Sequence, residues 1–355
     1  MGLPNITITF AKTAETVSRR AGQGTVALIL SDTATAAQGL KLIGAESDIP
    51  ATMGADNKAY INRAMIGYVN RPSKIIAYVM TAEESISDAL AALAAYEFDW
   101  LAGPPDLDAA GAGTIKTWIE SQRSDYDKIY KAVLPSTAAD SAAIVNFTGS
   151  GIAVSGDILT TAEYCSRIAG LIAGTPLTQS ITFAPLSDAS DVERLTRAEL
   201  DAAVEAGKLV LLHDGVKVKV GRGVTSLTTT TNTSALLKKI KLAETLDLIK
   251  HDLRILTQDT YIGRLVNSYD NKIVLLGAYL TYLKELEAEG VLQRGTSKIE
   301  IDVDAQRDYL RNRGDNVTGM TDAQIKTANT DSHVFVKGSI RMLDAIEDVD
   351  LDINF

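Results

Sequence analysis

The chain has 355 residues, with 35 Lys+Arg against 45 Asp+Glu and a formal net charge of −10. That length points to two or three domains, and 46% hydrophobic with 23% charged residues excludes a disordered or collagen-like chain. The acidic balance and the lack of any Lys/Arg run argue against a nucleic-acid binder.

The first predicted element is a strand. Ile6, Ile8 and Phe10 alternate with threonines and share one face. A polar stretch from Ala11 to Gly24, carrying Lys12, Arg19 and Arg20, reads as a linker. From Thr25 to about Thr231 the pattern is mixed α/β. Apolar runs at Thr25–Leu30, Lys74–Met80, Ala143–Phe147, Ser180–Ala184 and Lys208–Leu212 are predicted strands. Thr81 with Glu84, Thr160 with Glu163 and Thr196 with Glu199 have capping-box spacing, and Gly207 is placed to stop the third helix. A further helix is predicted from near Thr114, with Ile115, Trp118, Ile119, Tyr126 and Ile129 at helical spacing. Unalternated strands between capped helices imply a largely parallel sheet covered on both faces. Asp214-Gly215 then signals a hairpin between Leu209–His213 and Val216–Val220. The Thr-rich stretch Thr225–Thr233 reads as an edge strand entering a domain linker.

After Ser234 the period changes. Leu242, Leu246, Ile249, Leu253 and Leu256 form one helical face, and Ile273, Leu276, Leu280 and Leu283 form a second, ended near Gly290. A strand at Ile299–Val303, a short helix boxed by Thr321 and Gln324, and a strand at His333–Arg341 follow. Val349, Leu351, Ile353 and Phe355 then alternate up to the last residue. The organisation expected is 1–24 arm and linker, 25–231 α/β domain, 232–343 α+β domain and 344–355 terminal arm.

Catalytic spacings are missing. There is no G-x-S-x-G elbow, P-loop, H-E-x-x-H or paired Cys/His set, and Gly221-Arg222-Gly223 fails the dinucleotide pattern. His213, His251 and His333 lie far apart in sequence; His213 reads as a hairpin-end residue, His251 as a solvated side chain of its helix, and His333 as a strand opener. Cys165, the single cysteine, excludes an intrachain disulfide framework and reads as a small buried hydrophobe. No secretory signal or run of roughly 18 apolar residues is present, so the expectation is cytoplasmic folding without membrane insertion. No cofactor or metal is expected.

The ends carry the most information. An alternating strand must find a sheet edge, either in its own subunit or, by β-augmentation, in a neighbour's. The C-terminal segment carries Asp344, Glu347, Asp348, Asp350 and Asp352, against Lys12, Arg19 and Arg20 near the N-terminus. Opposite signs favour pairing between the two arms, although exposed ion pairs are worth only about 0–1 kcal/mol each.

The opening Gly2-Leu3-Pro4-Asn5-Ile6-Thr7-Ile8-Thr9-Phe10, the linker, and Arg20-Ala21-Gly22-Gln23-Gly24-Thr25-Val26-Ala27-Leu28-Ile29-Leu30 resemble the start of short contractile tail sheath proteins. Such proteins occur in PBSX-like prophages and in R-type tailocins such as diffocin. Phe98–Pro104 and Leu209–Asp214 followed by a Thr-rich stretch add to the resemblance, as does the order arm, α/β, α+β, arm. It implies a central subtilisin-like α/β domain that is not a protease. It also implies a helical stack of hexameric rings around a tail tube protein, ending on baseplate and tail terminator proteins, in a virion tail or tailocin particle. The N- and C-terminal arms of such subunits extend the C-terminal domains of neighbours, and contraction is rigid-body rotation with repacked interfaces. The arms are then expected to bend at Ala11–Gly24 and near Ser332 or Asp344. Lys238, Lys239 and Lys241 are the candidate tube-facing residues, against the plainer reading of a solvated helix end. The alternatives are another tail or baseplate component and a subtilisin-like hydrolase.

Overall fold

The computed structural model describes residues 24–231 and 233–353. Ile6, Ile8, Phe10, Lys12, Arg19, Arg20 and Phe355 lie outside the described residues. The chain divides into two compact units, one made of 24–244 together with 345–353, the other Thr245–Asp344.

The larger unit is built on a seven-stranded sheet. Its strands are β1 (Thr25–Ser31), β2 (Gly39–Ile43), β3 (Lys74–Met80), β4 (Trp100–Ala102), β5 (Lys131–Pro135), β6 (Ile144–Phe147) and, after three short strands, β10 (Lys208–Leu209). The order is β10-β6-β5-β4-β1-β3-β2, and only the β2–β3 pair is antiparallel. Both faces are dry. Val26, Leu28 and Leu30 of β1 face one apolar cluster, with α1 (Ala55–Ile66) and α4 (Thr161–Ala173); Ala27 and Ile29 face the other, with α2 (Ile86–Leu93) and α3 (Ala109–Asp125). This explains why β1 reads as an unbroken apolar run.

Helices α1 and α4 approach so closely that a Cβ on Gly170 would stand 1.9 Å from the Ala64 carbonyl oxygen. Beside that contact, Arg167 is buried and its guanidinium is held by Asp188 at 2.8 Å and by the Gly67 carbonyl at 2.8 Å.

The three short strands β7 (Ile152–Val154), β8 (Asp157–Leu159) and β9 (Ala189–Asp191) form a small antiparallel sheet. Strands β11 (Leu211–His213) and β12 (Val218–Val220) form the expected hairpin. Its turn is closed by the Asp214 carboxylate, which accepts from the Val216 and Lys217 amides. Helix α5 (Arg197–Glu205) has the expected Thr196–Glu199 box, and α4 the Thr160–Glu163 box.

The second unit contains most of α6 (Ile240–Thr260), then α7 (Tyr269–Ala288), β13 (Lys298–Ile301), α8 (Val303–Arg313), α9 (Asp322–Thr327) and β14 (Val336–Ser339). Among the described residues strands β13 and β14 pair antiparallel in a sheet of two, with α7 packed on β13. Thr321 and Gln324 box α9 as expected.

Several expectations fail, each for a local reason. Thr81–Glu84 does bond, Glu84 accepting from the Thr81 amide, but the α2 cap is Ser85, boxed with Asp88. Helix α3 starts before Thr114 because Asp108 caps it through the Gly111 amide. Ile129 lies beyond its end, and Tyr126 is exposed. Ser180–Ala184 is not a strand: Ile181 and Ala184 are buried, but the chain turns at Phe183 with φ +56°. Lys208–Leu212 is divided between two sheets. Thr225–Thr231 forms no strand, because the Asp140 carboxylate takes the Thr228 and Thr229 amides that a ladder would need. The strand beginning at Ile299 stops at Ile301, where Asp302 caps α8, a helix the sequence pattern did not reveal. His251 is buried beside Arg254 rather than solvated. Through Ile353 the terminal alternation pairs with no strand of its own chain among the described residues.

Candidate assembly interface

In an open α/β sheet the usual ligand crevice lies at the carboxyl ends of the strands where the order reverses. Here β1 stands between β3 and β4, and the chain fills that crevice itself. The Asp32 carboxylate accepts from the Gly54 amide at 2.8 Å, the Ala34 amide at 2.9 Å and the Asn57 amide group at 2.9 Å, contacts that hold its pKa below the usual carboxylate value. The Tyr60 hydroxyl donates to the Gly103 carbonyl at 2.6 Å. No cluster of three metal-ligating side chains occurs among the described residues, and none of their helices is long and apolar enough to cross a membrane. Cys165 is buried, donates to the Thr161 carbonyl, and has its thiol pKa pushed up by burial.

Two other features stand open. The first is the C-terminal segment. The Glu347 side chain turns inward, accepting from the Thr182 hydroxyl at 2.6 Å and meeting Lys239 at 2.8 Å and Arg222 at 3.4 Å. Asp348 accepts from Arg222 Nη2 at 2.6 Å, which lowers its pKa. Beyond these contacts Val349, Leu351 and Ile353 are 75%, 78% and 69% exposed.

The second is the two-stranded sheet of the other unit. An isolated pair of strands is marginal in water and presents unpaired edges. Beside β13 and β14 runs an apolar groove of about 490 Å³, lined by Ile249, Leu253, Leu283, Ile299, Val336 and Ile340 among others.

A phage tail sheath protein central-domain model matches residues 81–226, and a phage tail sheath C-terminal-domain model matches 232–355. The tail sheath protein of Clostridium phage phiCD119 is 37% identical over 358 residues, covering 99% of each chain. The chain belongs to the phage tail sheath family. It is a structural protein of a contractile tail. The sheath fold is seen also in the sheath tail protein Lin1278 of Listeria innocua, at TM-score 0.72 and 16% identity over 95% of this chain and 99% of that one. The PVC sheath of an extracellular contractile injection system, in its contracted state, matches at TM-score 0.66 and 11% identity over 100% and 98%.

In this sheath chain the three lysines singled out from sequence do not form one exposed cluster. Lys238 ends a short 3₁₀ turn and is half-buried, Lys239 is paired with Glu347, and Lys241 is buried. The acidic tail is likewise not all available to an N-terminal arm, since Glu347 and Asp348 are engaged within their own chain. Sequence reasoning missed Thr182, Arg222 and Glu347 as a group. They are separated by 40 and 125 residues, so no local spacing could have joined them.

Proposed function

We propose that the subunit polymerises as a helical stack of six-fold rings around a tail tube, and that its contraction drives the tube through a cell envelope. In this reading neighbouring subunits are linked by exchanged strands: Ile6, Ile8 and Phe10 from the N-terminal arm, and Val349, Leu351, Ile353 and Phe355 from the C-terminal arm. The observation that carries it is the C-terminal segment. Its Val349, Leu351 and Ile353 are exposed and belong to no strand, while an apolar groove flanks a sheet that has two strands among the described residues. Adding a strand satisfies the backbone groups of both partners. The central αβα unit, of the subtilisin-like kind, acts as a rigid body and carries out no catalysis. Baseplate and terminator proteins cap the stack, and assembly takes place in the host cytoplasm. Lys238 carries the tube-facing proposal, since Lys241 is buried and Lys239 already has a carboxylate.

The test is negative-stain microscopy of the purified chain with its tube protein at rising concentration. The full chain forms hollow striated sleeves. Deleting Val349–Phe355 or Met1–Phe10 abolishes them and leaves the unfolding transition of the monomer in place. A truncated chain that still builds normal sleeves overturns strand exchange.

A further inference from the structure

Within the acidic tail one side chain behaves unlike its neighbours. Ile346 is 89% exposed and the Asp348 side chain 85%, yet the Glu347 side chain between them is 3% exposed. Three separate stretches of the larger unit converge on it: the loop carrying Thr182, Arg222 just after β12, and Lys239 just before α6.

The surroundings are built to hold that carboxylate. Phe183 has φ +56°, a strained conformation for an aromatic residue, and its amide donates to the Val220 and Gly221 carbonyls. This turn presents the Thr182 hydroxyl, which accepts from the Gly223 amide at 3.0 Å and donates to Glu347. Gly223 has to be glycine for the approach, because a Cβ there would stand 2.9 Å from Ile181 Cγ1. The Gly221-Arg222-Gly223 stretch, which fails as a nucleotide motif, thus works as a mount for one arginine and one amide.

We infer that Glu347 is a positioning residue that anchors the root of the C-terminal arm to the larger unit, so that the arm leaves the subunit from a fixed place and bends after Asp348. The inference rests on the strand-exchange reading. It moves the bend away from the neighbourhood of Ser332 or Asp344 that the sequence suggested. The contact is not a latch over the strand, because Val349, Leu351 and Ile353 remain exposed beyond it. It fixes the start of the arm and leaves its pairing face open, which lowers the ordering cost of docking. A pull on the arm from a neighbouring subunit then loads Thr182, Arg222 and Lys239. With its carboxylate buried, Glu347 pairs with half-buried Lys239 and Arg222 and is screened less by salt than the exposed Asp348 carboxylate on the same arginine.

The experiment places a spin label at Ile346→Cys, an exposed position; Cys165 is buried and stays unlabelled. In the otherwise natural monomer the label is restrained. In Glu347→Gln, which keeps the shape and loses the charge, the restrained signal is lost, and sleeve formation on the tube slows by about tenfold or more. Lys239→Met gives the same release from the other side and serves if Glu347→Gln folds poorly. Unchanged label mobility in both variants overturns the anchor. So does a released root with an unchanged assembly rate, while the strand-exchange reading survives if deletion of Val349–Phe355 still abolishes sleeves. Normal sleeves from that deletion overturn both.

Discussion

The largest sheet of this subunit and the β13–β14 sheet are opposites. The seven-stranded sheet has an apolar cluster on each face and helices over both, and its ligand crevice is closed by Asp32, Asn57 and Tyr60. The β13–β14 sheet has two strands and an open groove beside it. Among the described residues, the first is covered on both faces and the second keeps an apolar groove at its side. On the strand-exchange proposal the subunit uses both kinds: a core that keeps its shape, and a sheet to which a neighbour's strand is added.

The largest expected effect attacks the finished region. Asp188→Ala leaves the Arg167 guanidinium buried without its carboxylate and destabilises the larger unit by about 3–5 kcal/mol. Both tryptophans, Trp100 and Trp118, lie in that unit, so fluorescence-monitored denaturation reads it directly. A loss under about 1 kcal/mol would mean that this core yields more easily than its packing indicates.

An intermediate effect falls on the other unit. Glu287 accepts from the Gly295 amide at 2.8 Å, the Ser297 amide at 2.8 Å and the Thr296 amide at 3.2 Å, closing the loop that leads into β13. Ser297 foremost, then the Gly295 amide, holds its pKa down to about 2 from an ordinary 4.5. A depressed carboxylate pKa stabilises the folded state above the unfolded-state value, and that contribution fades as pH falls through the folded one. Between pH about 4.5 and about 2, amides of 293–298 should therefore progressively lose protection, measured against the intrinsic exchange rate at each pH, while the tryptophan signal stays folded. In Glu287→Gln the same amides exchange faster already at pH 7 and lose most of that acid dependence. Equal acid sensitivity in the two chains would remove Glu287 as the cause.

The smallest effect is a cap. Thr160→Ala frees the Glu163 amide at the start of α4 and costs about 1 kcal/mol, read by the same fluorescence titration. Since α4 is otherwise deeply buried, a much larger loss would show that its entry into the core depends on the cap more than on packing.

Much of the larger unit was legible beforehand because its signals are local. Lys74–Met80 has the bounds of β3, Thr25–Leu30 matches β1 to within one residue, and the boxes at Thr160, Thr196 and Thr321 start the helices they announce. Short strands such as β4 and β5 escaped, since three to five residues are too few to show a period. Helix α8 escaped because its only large apolar side chains besides Val303 are Tyr309 and Leu310, too few to draw a stripe. Of the candidate interface, the apolar alternation of Val349, Leu351 and Ile353 was visible, whereas the Glu347 anchor was not.

By itself, then, the sequence determined which stretches could be strand or helix, where several helices begin, and that the last residues present an apolar face every second position. Only the tertiary structure decided which strands have partners, that Thr182, Arg222 and Lys239 meet at Glu347, and that through Ile353 the final alternation joins no strand among the described residues. The physical reason is range. Caps and periods are set by residues within a turn or two of each other, whereas a sheet edge or a buried carboxylate is satisfied by groups that sequence distance does not bring together.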